Sequence, residues 1–215
     1  MKACFVYCLL ATGAVLQAQT KTPEAPKNWT IDPKKAEKIA EWSKANTAYK
    51  EGLEAFARGE GEEATDKFTD ALGLINRFTD ARFARGRVRY EMAFHEAAVE
   101  DLSQAIAERP DMVDAYYYRA LALWNLKKHA EALADFDVVV VKQPRNAGYR
   151  EKRASLLQAM KQYPAALEDL DMVVALRPLN PAALEQRARL LETMGEKALA
   201  DEDWRCAGRL REDGH

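Results

Sequence analysis

The chain has 215 residues, 48% of them hydrophobic and 31% charged, a composition that suits a folded soluble protein and excludes collagen-like and wholly disordered chains. Its formal net charge of -2 provides no overall basic field, so we expect no nucleic-acid partner. Only 10 Gly and 8 Pro accompany abundant Ala, Leu, Glu and Arg, which favours an all-α fold over a turn-rich sandwich or barrel.

Residues 1–18 resemble a secretory signal peptide. A lysine at position 2 precedes an apolar stretch over 3–16, and Leu16-Gln17-Ala18 is typical of a cleavage site. The apolar stretch is shorter than the ~20 residues that span a bilayer, which favours a cleaved signal over a retained anchor. We therefore expect a secreted or periplasmic protein with no integral membrane span after cleavage.

A flexible leader is predicted for residues 19–31, which are rich in Thr, Lys and Pro. Asp32 followed by Pro33 is typical of a helix start, because Asp caps free N–H groups and Pro fits the first helical position. The segment 32–44 is therefore predicted to be a helical extension, with an apolar face that includes Trp42. One role open to this extension is to cap the end of the fold.

Prolines at positions 110, 144 and 178 are each separated by 34 residues, which indicates an internal repeat. When the chain is divided from Ala45 onwards, this period continues without insertion or deletion to residue 214. The five predicted repeats are 45–78, 79–112, 113–146, 147–180 and 181–214.

Small and large residues recur at fixed repeat positions, which are counted here from the first residue of each repeat. Position 8 is Gly or Ala, position 20 is Ala, and position 24 is Phe, Leu or Trp. Small residues let two helices approach and a large apolar side chain fills the space between them, so each repeat is predicted to form two amphipathic helices, at about positions 2–14 and 18–31. Neither helix can bury its apolar stripe alone, so the repeats are expected to stack into an α-solenoid.

These positions, together with Pro at position 32, resemble the tetratricopeptide repeat over residues 45–214. The resemblance implies a right-handed superhelix of helix-turn-helix repeats whose first helices line a concave, polypeptide-binding groove. Some positions depart from the family pattern and put local packing in question. Position 4 is Arg82 in the second repeat and Arg150 in the fourth, and position 32 of the first repeat is Asn76.

No arrangement of residues is typical of an enzyme. His95 and His129 both occupy position 17 of adjacent repeats, too far apart for a shared ion, which favours packing or capping over metal ligation. Cys206, the only cysteine outside residues 1–18, is interpreted as a small apolar residue on a helix. We therefore predict no catalytic residue, no metal and no cofactor.

Positions 7 and 23 carry opposite charges in every repeat. The first repeat has Glu51 at position 7 and Lys67 at position 23, whereas the others have Arg and then Asp. Because both charges reverse together, we predict a structural ion pair within each repeat, with a row of ligand contacts as the alternative. The four Arg–Asp pairs are Arg85 with Asp101, Arg119 with Asp135, Arg153 with Asp169, and Arg187 with Asp203.

The predicted groove changes character along the chain. Aromatic residues occupy positions 5 and 12 in repeats one to three, whereas acidic or polar residues occupy them in repeats four and five. Large aromatic side chains are common anchors of protein partners. The predicted groove residues are Tyr49, Phe56, Phe83, Arg87, Tyr90, Tyr117, Tyr118, Trp124, Glu151 and Glu185.

The predicted function is that of a non-catalytic protein-protein interaction or scaffold module with a polypeptide in its groove. The alternative is a self-assembling structural element, a homo-oligomer whose groove is filled by a second copy or by the leader.

Overall fold

The computed structural model describes residues 32–213, and this range contains ten α-helices and no strand. The predicted signal peptide and leader lie outside the described residues. The helices are α1 (Pro33–Ala57), α2 (Gly61–Leu74), α3 (Thr79–Glu91), α4 (His95–Glu108), α5 (Val113–Asn125), α6 (His129–Lys142), α7 (Ala147–Ala159), α8 (Tyr163–Leu176), α9 (Pro181–Met194) and α10 (Lys197–Glu212). Within the described range, no helix combines the length and the apolarity that a membrane span requires.

The helices pack as five consecutive pairs, α1 with α2 through to α9 with α10, and each pair is formed by one predicted repeat. The second helix of each pair also contacts the first helix of the next pair, and the first helices α1, α3 and α5 contact one another in turn. Each repeat thus packs chiefly on its sequence neighbours, which is the arrangement of an α-solenoid. The all-α solenoid predicted from the sequence is confirmed.

The core is built from the small and large positions of the repeat. Ala120 and Ala154 at position 8, Ala132 at position 20 and Phe136 at position 24 are completely buried. In the first repeat, a Cβ atom on Gly52 would lie only 2.6 Å from the ring of Phe68. The small residue at position 8 therefore makes room for the large side chain at position 24 of the facing helix.

Each pair of helices is joined by the same turn, with a left-handed residue at position 15. This residue is glycine in the first and last repeats, where φ is 82° at Gly59 and 86° at Gly195. In the other three repeats φ at this position is 60° to 64°, and the residues are Ala93, Lys127 and Lys161. The backbone N–H of the residue after the turn residue donates to the carbonyl five residues earlier. For example, the N–H of Phe94 donates to the carbonyl of Arg89 at 2.8 Å, and this bond ends the helix in a Schellman-type motif.

The helical extension begins at the predicted residue but does not cap the fold. Asp32 accepts a hydrogen bond from the backbone N–H of Lys34 at 3.1 Å, and Pro33 is the first helical residue. Residues 33–44 are nonetheless exposed, including Ile39 and Trp42. The suggested capping role is wrong, because this part of α1 runs past the end of the helical array instead of folding across it.

The two arginines at position 4 both bind the connection that precedes their repeat. Arg82, at position 4 of the second repeat, is buried and its guanidinium donates to the backbone carbonyl of Asn76 and to the side chain of Gln104. Arg150, at the same position of the fourth repeat, donates to the carbonyl of Pro144 at 3.1 Å. In both repeats, a position 4 arginine hydrogen-bonds the connection from the preceding repeat, which an apolar residue there cannot do.

Candidate polypeptide-binding surface

The aromatic residues of repeats one to three meet on the surface formed by the first helices, which we call the first-helix surface. Tyr118 on α5 is the centre of this group. Its ring centroid lies 6.1 Å from that of Phe83, 5.9 Å from that of Tyr90 and 5.4 Å from that of Tyr117, each pair in an edge-to-face geometry. Such geometry is favourable for aromatic pairs, so the rings support one another in fixed positions.

Arg87 is inserted between two of these aromatic rings. Its guanidinium carbon lies 4.9 Å from the ring centroid of Phe56 on α1 and 5.3 Å from that of Tyr118 on α5. Its Nε also donates to the Glu91 carboxylate at 3.1 Å. The side chain is held by stacking on both sides and is still 41% exposed, so its remaining N–H groups can reach a ligand.

Burial raises the pKa of Tyr90, Tyr117 and Tyr118 above the ordinary value of a tyrosine hydroxyl. Tyr149 on α7 joins the group, with its ring centroid 4.9 Å from that of Tyr117. Its hydroxyl donates to Asp114 at 2.9 Å, and burial together with this bond raises the pKa of Tyr149 to about 12. Tyr149 was missed from the sequence, because position 3 is outside the pattern used to select groove residues.

The predicted groove aromatics also pack against the core clusters, and Tyr49 and Trp124 illustrate this. The ring of Tyr49 packs 5.8 Å from Phe68 and 5.0 Å from Phe78, measured between centroids. Trp124 is half-buried against the core cluster around Phe136. Truncation of either side chain would therefore disturb folding as well as the surface.

The predicted acidic part of the groove is neutralised by the chain itself. Glu151 accepts a hydrogen bond from Arg177 at 2.8 Å. Glu185 is buried, with a carboxylate oxygen 2.5 Å from Arg211. Glu151 and Glu185 thus form ion pairs within the fold, whereas the aromatic group of repeats one to three is half-exposed.

The residues at positions 7 and 23 form the contacts that the charge reversal predicted. In the third repeat, Arg119 donates to both oxygens of Asp135 at 2.8 and 2.7 Å, a bidentate geometry. Hydrogen bonding to Asp135 raises the pKa of the Arg119 guanidinium. The same two bonds join Arg85 to Asp101, Arg153 to Asp169 and Arg187 to Asp203.

Each of these arginines also contacts the preceding repeat. Its Nη1 atom donates to the residue at position 25 of that repeat, which is a hydroxyl in the first two cases and a carboxylate in the last two. The contacts join Arg85 to Thr69 at 3.0 Å, Arg119 to Ser103 at 3.1 Å, Arg153 to Asp137 at 2.8 Å and Arg187 to Asp171 at 2.8 Å. The arginine therefore connects three helices, and the row is structural.

Nothing in the described range resembles a metal site, because no group of three or more His, Cys, Asp or Glu residues converges there. His95 and His129 are the first residues of α4 and α6, and the ring of His95 packs 5.8 Å from that of Tyr90. Cys206 is half-buried on α10.

The paired helices, the stacked repeats and the aromatic first-helix surface define a helical-repeat protein of the kind that presents an extended surface to other molecules. Residues 83–147 match the sequence model of the family described as tetratricopeptide repeat. This match spans most of the second predicted repeat and the whole of the third. No curated protein matches the chain by sequence.

Solved structures show the same fold. MamA 41-end from Desulfovibrio magneticus RS-1 superposes with a TM-score of 0.75 and 18% identity, over 80% of this chain and 97% of that one. YrrB, described as a TPR protein with an unusual peptide-binding site, superposes with a TM-score of 0.70 and 18% identity, over 84% of this chain and 92% of its own. At these identities the likeness concerns the fold alone.

Proposed function

We propose that the protein is a non-catalytic interaction module of an extracytoplasmic compartment, and that it binds a polypeptide on the first-helix surface of repeats one to three. The observation that carries this proposal is the insertion of Arg87 between Phe56 and Tyr118, within a group of half-exposed aromatic rings. Aromatic side chains supply most of the affinity at protein interfaces, and rings that are already fixed lose little entropy on binding.

The chemistry of this surface suits a peptide main chain. The exposed N–H groups of Arg87 can donate to a carbonyl or carboxylate oxygen, and the tyrosine hydroxyls can donate or accept. The rings provide apolar contact on either side of these polar groups. The peptide-binding site named in the description of YrrB, which has a similar fold, further supports a polypeptide ligand.

The extracytoplasmic location rests on the sequence of residues 1–18, in which a lysine, an apolar stretch and Leu16-Gln17-Ala18 follow one another. N-terminal sequencing of the protein purified from its native cells tests this. A mature chain that begins at Gln19 would support it, and a chain that retains the apolar stretch would contradict it.

A crosslinking pull-down from the native compartment tests the binding surface. The wild type is compared with Tyr118→Ala, and Leu199→Ala on α10 is the matched control, because Leu199 is an exposed apolar residue of the fifth repeat. We expect Tyr118→Ala to weaken binding of the captured partner by about thirtyfold, as for an interface anchor. Its unfolding free energy is measured alongside, because Tyr118 also packs against two core clusters. The control should bind as the wild type does.

Retention of full affinity in Tyr118→Ala and in Arg87→Ala would remove the first-helix surface as the binding site. The alternative, in which this surface is filled by a second copy, has a different signature. The molar mass from light scattering would then rise with protein concentration, and Tyr118→Ala would abolish that rise.

A further inference from the structure

Two exposed apolar features lie near opposite ends of α1. The first is the α1 ridge, which consists of Ile39 and Trp42 together with Lys35 and Lys38. These residues are three or four positions apart and so share one helix face. Ile39 is 54% exposed and Trp42 is 57% exposed, which is unusual for side chains of this size.

The second feature is the Met92 cleft, at the turns of the first two repeats. It has a volume of about 470 Å³ and is lined by Met92, Phe94 and Ala97, with Glu62 and Asp66 at its acidic side. An adjoining cavity of about 400 Å³ shares Met92 and Glu62 and is also lined by Phe56 and Val88. Phe94 is 57% exposed, so the cleft presents a large unpartnered aromatic ring.

The two features have opposite charge. The helical extension over 32–44 carries Lys34, Lys35, Lys38 and Lys44 against Asp32, Glu37 and Glu41, which leaves it with a net positive charge. In the cleft, Glu62 and Asp66 form no salt bridge with another described residue, whereas the only basic lining residue, Arg89, is held by Asp101 at 2.9 Å. An apolar and basic helix therefore complements the cleft both in polarity and in charge.

The ridge cannot reach the cleft of its own molecule. Both belong to one continuous helix at its two ends, because α1 runs from Pro33 to Ala57 and Phe56 lines the adjoining cavity. Fourteen residues separate Trp42 from Phe56, which is about 21 Å along a helix that rises 1.5 Å per residue. Contact between the ridge and the cleft therefore requires two molecules.

We propose that the α1 ridge of one molecule docks into the Met92 cleft of a second copy, with Trp42 against Phe94 and Met92 and with the lysines facing Glu62 and Asp66. Contact of one ridge with another would instead bring two lysine-rich faces together, which is unfavourable. The contact joins different surfaces of the two molecules, so it is head-to-tail and produces chains or closed rings. The Met92 cleft lies outside the aromatic group around Tyr118, although the adjoining cavity shares Phe56 with the first-helix surface.

The test is the molar mass of the purified protein, measured by light scattering and sedimentation velocity over a range of concentrations. The wild type should associate as its concentration rises, and more weakly at high salt. Trp42→Ala and Phe94→Ala should each weaken association by about thirtyfold or more, as expected for buried aromatic anchors. Both side chains are exposed, so neither change should alter the melting temperature at a concentration where the wild type is monomeric.

Leu179→Ala is the matched control, because Leu179 is 60% exposed in the loop before α9 and lies outside both features. It should associate as the wild type does. A mixture of the two defective variants gives the sharpest result. Trp42→Ala keeps its cleft and Phe94→Ala keeps its ridge, so the mixture should form dimers of one copy of each and nothing larger.

The charge component is tested by Asp66→Lys, which should weaken association, and by its combination with Lys38→Glu, which should restore part of it. A wild type that stays monomeric at all concentrations would overturn the proposal. So would association that Tyr118→Ala abolishes and Trp42→Ala leaves intact, because that outcome assigns self-contact to the first-helix surface. A monomer that binds anionic phospholipid vesicles through Trp42 would assign the ridge to a membrane and would likewise overturn it.

Discussion

The first repeat and the four that follow it carry the same kind of charged pair in very different surroundings. Glu51 and Lys67 form one hydrogen bond of 2.7 Å, and their side chains are 46% and 34% exposed. Arg119 and Asp135 form two bonds, and their side chains are only 22% and 7% exposed. The same positions thus hold a solvated contact in one repeat and a largely buried bidentate pair in another.

The position of the first repeat in the fold explains this difference. In repeats two to five, the arginine uses two nitrogens for its own repeat and a third for position 25 of the preceding repeat, as Arg119 does with Ser103. No helix pair precedes the first repeat in the described range, so a third donor there would have no second helix to reach. A lysine and a glutamate are sufficient where only two helices must be joined.

The largest expected effect is on stability, from truncation of one partner in the buried pair. Arg119→Leu leaves the Asp135 carboxylate buried without its cation and should lower the free energy of unfolding by about 3 to 5 kcal/mol. Lys67→Leu, the matching change in the first repeat, should cost far less, since Glu51 stays solvated. Urea denaturation of both variants measures the contrast.

Equal losses in the two variants would show that burial does not separate the first repeat from the others. Arg153→Leu is a further control, and its loss of unfolding free energy should lie between those of Arg119→Leu and Lys67→Leu. Its partner Asp169 also accepts a hydrogen bond from Arg150 at 2.9 Å, so that carboxylate keeps one cation.

A double-mutant cycle sharpens the same comparison. Arg119→Leu combined with Asp135→Leu should cost less than the sum of the single changes, with a coupling of about 1 to 3 kcal/mol, because the second change removes the charge that the first left unpaired. The swapped pair, Arg119→Glu with Asp135→Lys, copies the first repeat and should recover part of the loss. Additive losses in thermal or urea melts would contradict a direct interaction.

The turns differ between the first repeat and the second in a similar way. Gly59 holds the left-handed conformation without cost, whereas Ala93 adopts it with a φ of 64° and with its Cβ strained. Ala93→Gly should stabilise the protein by up to about 1 kcal/mol, offset in part by the greater freedom of the unfolded chain. Gly59→Ala should destabilise it by a similar amount, although its Cβ would meet no neighbour within 4 Å.

Melting temperatures of the two turn variants provide the measurement. A fall in stability for Ala93→Gly would show that contacts of the alanine methyl outweigh its backbone strain.

The smallest expected effect is a loss of stability at alkaline pH. Burial and the bond to Asp114 raise the pKa of Tyr149 to about 12, above its ordinary value of 10. A pKa that is raised in the folded state gives stability that is present below pH 10 and is lost as the pH rises towards 12. Melting temperatures should therefore fall between pH 10 and 12, and Tyr149→Phe should make that fall shallower.

The fall in melting temperature between pH 10 and 12 is also measured for Tyr49→Phe in the first repeat, as a comparison with Tyr149→Phe. The pKa of Tyr49 is also raised by burial. A decline in melting temperature that is the same in the wild type and in Tyr149→Phe would show that other groups cause it.

Features inside one repeat were determined by the sequence alone. The 34-residue period predicts the helix pairs and their bounds to within about two residues, because amphipathic spacing is local. The joint reversal of charge at Glu51 and Lys67 likewise identified two positions that touch. The sequence could show this because the same pair of positions occurs five times in one chain. The left-handed turn residue has a local sequence signal at Gly59 but none at Ala93, where the same backbone occurs, because glycine alone adopts this conformation without strain.

Contacts between repeats were decided only by the tertiary structure. The stacking of Arg87 between Phe56 and Tyr118 joins three repeats, and its geometry depends on how far each repeat is rotated from the last. The pairing of Arg177 with Glu151 inside the fourth repeat was not predicted either, and it neutralises an acidic position that was assigned to the groove. Trp42 is exposed beyond the array, because an apolar helix face is buried only where a neighbouring helix lies against it.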